Sequence, residues 1–99
     1  MRERSDGARF GIVLYDTVEA LDLGATYGVL SMARRVLPNL EMVVVAEHSG
    51  PVELANGLCV MAGYGFSDCP PLDVAIVCGG AGWGREGENP AMRAFLERM

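Results

Sequence analysis

The sequence has 99 residues, of which 51% are hydrophobic and 21% charged, and its formal net charge at pH 7 is −5. This length allows one domain, and this composition excludes a disordered chain. Nucleic-acid binding by this segment is disfavoured, because an acidic surface repels phosphates. Three cysteines are too few for a disulfide-rich secreted scaffold. The sequence shows no secretory signal and no apolar run of the ~18 residues that a membrane span needs. We therefore expect a cytoplasmic protein.

The first half of the chain predicts a strand, a helix and a second strand. Residues 1–9 are polar and are predicted to form a leader, and the apolar run at 10–15 indicates a strand buried on both faces. Residues 21–37 carry apolar side chains at helical intervals, and Pro38 ends this helix. Residues 41–47 are rich in β-branched side chains and predict the second strand. The predicted buried face of the helix consists of Leu21, Ala25, Val29, Met32, Ala33 and Val36.

The second half predicts a hairpin, a third apolar strand and a last helix. Asn56-Gly57 is typical of the turn of a hairpin, which we expect over residues 52–61. Residues 73–78 are apolar after the first position and lead directly into a loop, 79–84, that contains four glycines. An Asn-Pro pair then precedes a helix predicted over residues 91–99.

This alternation of strands and helices predicts an α/β fold with a mainly parallel sheet. The parallel strands are expected at 11–15, 42–46 and 73–78, with 52–61 as an antiparallel excursion. In such a sheet the loops that follow the strands meet at one edge, where ligands bind. We therefore expect Asp22 to line a cleft with Gly79 and Gly80.

Asp22 is the first candidate site residue, and two interpretations apply to it. It lies between two leucines just after a strand, and a carboxylate buried there suits proton transfer near neutral pH. Alternatively, a carboxylate in the first turn of a helix stabilises the free backbone amides of that turn. Glu19, which lies nearer the exposed turn, is the other carboxylate that could fill either role.

The double glycine Gly79-Gly80 also has two interpretations. Glycines after a buried strand either form a pocket whose N–H groups bind a ligand oxygen or simply permit a tight turn. Cys78, at the same rim, is either a reactive thiol or a small buried hydrophobic residue. His48 is the only histidine and is predicted to be exposed in a turn. Because the other cysteines lack a C-x-x-C partner, we expect no metal. The glycines of residues 79–84 do not follow the G-x-G-x-x-G spacing of a dinucleotide site, and we expect no cofactor.

Four segments in this order resemble the N-terminal half of the ThiJ/PfpI superfamily: GIVLYDTVEALDL, HSGPVELANGLCV, FSDCPPLD and DVAIVCGGAGWG. FSDCPPLD leading into VCGG is most similar to its isonitrile-hydratase-like branch. The resemblance implies a class I glutamine amidotransferase-like, flavodoxin-like three-layer sandwich that is usually a homodimer. It also implies a reactive cysteine on a sharp strand-to-helix turn, a carboxylate beside that thiol, and an oxyanion pocket of double-glycine amides. By position, the carboxylate is Asp22 and the double glycine is Gly79-Gly80.

The chain departs from the family pattern at three places. Ala25-Thr26 stands where many relatives carry Gly-Pro, and Cys78 stands where a proline usually precedes the double glycine. Relatives place the nucleophile on the strand after the last helix, so we expect it to lie beyond Met99.

The resemblance therefore leaves two classes of function open. The first is a fragment of a cysteine-dependent hydratase, amidase or hydrolase of a small molecule. The second is the ligand-sensing domain of an AraC-type transcriptional regulator. In both cases we expect a homodimer or association with a C-terminal half.

Overall fold

The fold consists of a four-stranded parallel sheet and a separate antiparallel hairpin. The computed structural model describes residues 7–80 and 82–98. The strands are β1 (Arg9–Val13), β2 (Glu41–Ala46), β3 (Gly50–Glu53), β4 (Cys59–Ala62), β5 (Tyr64–Gly65) and β6 (Val74–Val77). The sheet has the order β5-β2-β1-β6, and each neighbouring pair in it is parallel. Strands β3 and β4 pair antiparallel. The predicted α/β class, with its parallel strands and antiparallel excursion, is confirmed.

Within the described ranges, three α-helices accompany the sheet: α1 (Ala20–Ala33), α2 (Trp83–Glu86) and α3 (Pro90–Glu97). Helix α1 is the crossover that joins the parallel strands β1 and β2. Helix α3 begins where the Asn-Pro pair predicts, because Asn89 Oδ1 accepts a hydrogen bond from the backbone N–H of Ala91 at 2.9 Å. No helix among the described residues has the length and apolarity needed to cross a membrane.

The core is centred on β1, which is covered on both edges by neighbouring strands. Side chains from β1 and the loop after it are fully buried together with one from β2. At the far side of the core, the ring of Phe95 in α3 stacks on Phe66, which follows β5, with ring centroids 4.5 Å apart. The fully buried side chains in the first two strands and their loop are Ile12, Val13, Leu14, Val18 and Val45.

The first strand begins inside the segment predicted to be a leader. Arg9 belongs to β1, where it pairs with Glu41 of β2. Its backbone N–H donates to Asp73 Oδ2 at 2.7 Å, and its guanidinium lies 3.1 Å from the Glu41 carboxylate. The predicted leader boundary at residue 9 is therefore wrong, and residues 1–6 of that prediction lie outside the described residues.

The hairpin loop is longer than the two residues predicted. Glu53 pairs with Cys59, so residues 54–58 separate the strands and include a 3₁₀ turn. Asn56 and Gly57 still adopt the positive φ angles that an Asn-Gly turn favours, 63° and 90°.

Helix α1 presents the opposite face to the one predicted. Leu21 and Val29, assigned to the core from their spacing, are 77% and 68% exposed, whereas Leu23 and Leu30 are buried. The helix also ends at Ala33 rather than at residue 37, where the chain tightens into turns with i→i+3 hydrogen bonds. The prediction failed because α1 is apolar almost all round, and its spacing therefore fits more than one face.

Candidate functional site

The loops after β1 and β6 meet at the carboxyl edge of the sheet, and three backbone-anchored links join them. Val18 and Gly80 form an isolated antiparallel bridge. The backbone N–H of Glu19 donates to the carbonyl oxygen of Gly79 at 3.0 Å. The N–H of Gly79 in turn donates to Asp22 Oδ2, also at 3.0 Å. The structure therefore brings Asp22 and the double glycine together.

The close approach of these loops leaves no room for side chains at the double glycine. A Cβ atom at Gly79 would lie 2.7 Å from Asp22 Oδ2. A Cβ atom at Gly80 would lie 2.5 Å from the carbonyl oxygen of Thr17 and 2.8 Å from the Cα of Val18. Both neighbours of Gly80 are backbone atoms, so this contact requires glycine at position 80.

Asp22 is exposed and not buried, contrary to the environment expected for it. It lies in the first turn of α1, on the flank between the buried leucines and the exposed apolar face. One carboxylate oxygen is held by the Gly79 N–H while the side chain remains open to solvent. The structure therefore lacks the burial on which the proton-transfer interpretation rested, and it leaves the carboxylate accessible from the edge of the sheet.

Cys78 is buried, and its environment makes it a weak nucleophile. Burial raises the pKa of the Cys78 thiol above its ordinary value of 9.0, and the negative charge of Asp22 raises it further. Because the thiolate is the reactive form, a raised pKa reduces reactivity near neutral pH. The structure thus favours the interpretation of Cys78 as a small buried hydrophobic residue.

We expect alkylation to distinguish the cysteines. Cys59 is exposed, whereas Cys78 is buried with a raised pKa. Iodoacetamide at pH 8 should therefore modify Cys59 well before Cys78, as read by mass spectrometry of peptides. Unfolding in urea, which removes the burial, should equalise the two rates. Equal rates in the folded chain would contradict the placement of Cys78.

Tyr15 lines a cleft of about 240 Å³ at the same edge of the sheet. Burial, and then the charges of Cys78, Asp22 and Glu86, raise the pKa of its hydroxyl. Asn89 links two carboxylates that line the cleft, because its Nδ2 donates to Glu47 Oε1 at 3.0 Å and to Glu86 Oε1 at 3.2 Å. The cleft is lined by Leu14, Tyr15, Asp16, Ala46, Glu47, His48, Pro51, Val52, Phe66 and Glu86.

His48 lies at the rim of this cleft with its side chain 88% exposed. The exposed turn position predicted for it is confirmed. Within residues 7–80 and 82–98, no cluster of three or more histidine, cysteine, aspartate or glutamate side chains is placed to hold a metal ion.

Sequence reasoning did not identify Thr17, which lies against the loop that contains the double glycine. Its φ angle is 78°, a left-handed value that is rare for a β-branched residue. Its Oγ1 is buried and has no hydrogen-bond partner among the described residues. A Cβ atom at Gly82 would collide with that Oγ1. The threonine carries no sequence signal for this conformation, although the glycine at position 82 is consistent with it.

Comparisons with known proteins agree on the class of this fold. No family model matches the chain. Oxidised DJ-1 of Toxoplasma gondii superposes with a TM-score of 0.76 at 21% identity, over 93% of this chain and 50% of that one. A ThiJ/PfpI family protein from Pseudomonas syringae gives 0.74 at 22% identity, over 90% and 36%. An AraC family transcriptional regulator from Pseudomonas putida gives 0.64 at 18% identity, over 93% and 70%. These likenesses show that the chain has a flavodoxin-like α/β fold.

A protein of known activity also resembles this chain in sequence. Isonitrile hydratase from Pseudomonas putida is 38% identical over 88 residues, which are 89% of this chain and 37% of that protein. Together with the fold, this match supports a ThiJ/PfpI superfamily domain, of which the chain covers a part. The chain spans little more than a third of the hydratase and about half of several superfamily structures.

Proposed function

We propose that this chain is part of a cysteine-dependent hydratase that acts on a small molecule. Asp22 is its acid/base, and the amides of Gly79 and Gly80 support a developing anionic oxygen. The observation that carries the proposal is the 3.0 Å hydrogen bond from the Gly79 N–H to Asp22 Oδ2. That bond joins the N–H group of Gly79 to a carboxylate that remains open to solvent, and the same N–H group would serve a ligand oxygen that displaced the carboxylate. The 38% identity to an isonitrile hydratase supports the reaction type.

The chemistry assigns a proton-transfer role to Asp22. A thiolate attacks the terminal carbon of the isonitrile and forms a carbon–sulfur bond, while Asp22 passes the proton taken from the thiol to that carbon. Water then adds to the resulting thioimidate carbon, the carbon–sulfur bond breaks, and the proton released returns the thiol. The net reaction is addition of one water to the isonitrile, which gives an N-substituted formamide. We propose that the thiolate comes from the portion of the hydratase-like protein that this chain does not span.

The test is isonitrile hydration, followed by loss of the isonitrile infrared band. A protein that carries this chain together with the remainder of such a domain should hydrate an alkyl isonitrile. The 99-residue chain by itself should show no thiol-dependent hydration and no amide hydrolysis. Turnover by the 99-residue chain that Cys78→Ser abolishes would contradict the proposal and make Cys78 the nucleophile.

A second function is the ligand-sensing domain of an AraC-type regulator. The fold likeness to the Pseudomonas putida regulator, over 70% of that chain, favours it. The coding sequence downstream of Met99 discriminates between the two functions. A small-x-Cys-small motif supports the hydratase, and a later basic helix-turn-helix supports the regulator.

Two further properties complete the proposal. Strand β6 pairs with β1 along one edge and, among the described residues, has no strand on its other edge. The half-exposed side chains of β6 and that open edge suit association with a C-terminal half. We also place the protein in the cytoplasm, because Cys59, Cys69 and Cys78 are free thiols, as a reducing compartment keeps them.

A further inference from the structure

Residues 82–89, which follow the double glycine, lie along the carboxyl edge of the sheet. At the beginning of this segment, Gly82 lies so close to Thr17 that a Cβ atom on the glycine would collide with the threonine Oγ1. At its end, Asn89 reaches Glu47, which directly follows β2. The segment therefore extends from the loop after β1 to the loop after β2.

The side chain of Asn89 joins three elements at once. Its Nδ2 donates to Glu47 Oε1 at 3.0 Å and to Glu86 Oε1, at the end of α2, at 3.2 Å. Its Oδ1 accepts the N–H of Ala91 at 2.9 Å and so caps α3. An amide is suited to this position because it offers two N–H donors to the carboxylates and one oxygen to the helix.

A run of hydrogen-bonded turns connects Asn89 to Gly82. The carbonyl oxygen of Gly82 accepts the N–H of Arg85 at 3.1 Å and the N–H of Glu86 at 2.9 Å. The carbonyl oxygen of Glu86 in turn accepts the N–H of Asn89 at 3.0 Å. Because each such turn fixes the backbone dihedrals of its residues, a displacement of Asn89 is passed along the segment towards the double glycine.

We propose that Asn89 is a positioning residue of the candidate site. By tying the end of the segment to β2, its side chain fixes where the amides of Gly79 and Gly80 lie. Donors of this kind are effective when they are held in place before the ligand arrives. The catalytic consequence rests on the proposed function, in which these amides support a developing anionic oxygen, whereas the positioning itself is a property of the 99-residue chain.

The amide resonances of Gly79 and Gly80 in the ¹⁵N-labelled chain test the positioning. Asn89→Asp keeps an oxygen that caps α3 but places a carboxylate opposite Glu47 and Glu86. The repulsion between the carboxylates should displace the segment and shift both glycine resonances. Glu47→Gln by itself should leave both in place, because the glutamine oxygen still accepts from Asn89 Nδ2.

The double variant Asn89→Asp/Glu47→Gln separates this link from the capping of α3. The glutamine amide donates to the aspartate, so the hydrogen bond forms again with donor and acceptor exchanged. Both glycine resonances should therefore return towards their wild-type positions, which a change at residue 47 cannot achieve for a lost cap. Glycine resonances that stay in place in Asn89→Asp, or that the second substitution does not restore, would overturn the positioning role.

Hydration kinetics connect the link with the proposed function. In a hydratase-like protein that carries this chain, Asn89→Asp should lower kcat about tenfold with a smaller change in KM, because misplaced donors lose contacts made in the transition state. Asn89→Asp/Glu47→Gln should recover most of the lost kcat, and a failure to do so would contradict the assignment. A wild-type protein without hydration would contradict the proposed function, and the glycine resonances would still decide the role of Asn89.

Discussion

Gly80→Ala is expected to lower the free energy of unfolding by about 3 kcal/mol. The added Cβ meets the Thr17 carbonyl oxygen at 2.5 Å and the Val18 Cα at 2.8 Å. Neither neighbour is the end of a flexible side chain, so relief requires one backbone segment to move. That movement would break the Val18–Gly80 bridge and the Glu19–Gly79 hydrogen bond beside it.

Thermal unfolding measures this effect. For a domain of this size a loss of 3 kcal/mol corresponds to a fall in Tm of about 12 to 24 °C. Gly84→Ala is the matched control, because a Cβ there meets nothing within 4 Å and the residue lies in α2. The same Tm for both variants would show that the two loops do not approach as closely as described.

Asp22→Asn is expected to reduce turnover of the hydratase-like protein by about 10²- to 10⁴-fold. The asparagine retains an oxygen that accepts the Gly79 N–H, so the geometry of the site persists while proton exchange is lost. We therefore expect kcat to fall and Tm to remain near that of the wild type.

The control for this variant is Glu19→Gln, a neutralised carboxylate at the residue before α1. The side chain of Glu19 has no place in the proposed proton transfer, and the variant should retain its kcat. A fall in kcat for Glu19→Gln with an unaffected Asp22→Asn would assign the acid/base role to Glu19. Such a result would contradict the role proposed for Asp22.

The sheet could be predicted from the sequence because its strands are short apolar runs with clear ends. The runs around Ile12, Val44 and Ile76 are apolar on both sides of the pleat, as parallel strands buried on both faces must be. The two-residue strand β5 was missed, since Tyr64–Gly65 is too short to show any periodicity.

The orientation of α1 also could not be predicted, but the reason differs from that for β5. Leu21 and Leu23 are chemically identical and two positions apart, and one is 77% exposed while the other is 9% exposed. The spacing of the apolar residues in α1 is compatible with a buried face that contains either leucine. The choice depends on how the crossover from β1 to β2 rotates the helix, which is a tertiary effect.

The candidate site could also be predicted only in part from the sequence. Topology predicts that Asp22 and the double glycine meet, because loops after parallel strands share one edge. The exposure of Asp22 and the left-handed conformation of Thr17 depend on the detailed path of the loop after β1. Neither the exposure of Asp22 nor the conformation of Thr17 is indicated by residue types or by their spacing in the sequence.

The central claim is that Asp22 and the double glycine form one site, and the amide spectrum of the ¹⁵N-labelled chain tests it most directly. Asp22→Ala removes the acceptor of the hydrogen bond from the Gly79 N–H. The amide resonance of Gly79 should therefore shift strongly in Asp22→Ala, and it should remain in place in Glu97→Ala, which removes an exposed carboxylate from α3. A Gly79 resonance that is unchanged in Asp22→Ala, or that moves equally in Glu97→Ala, would contradict the site.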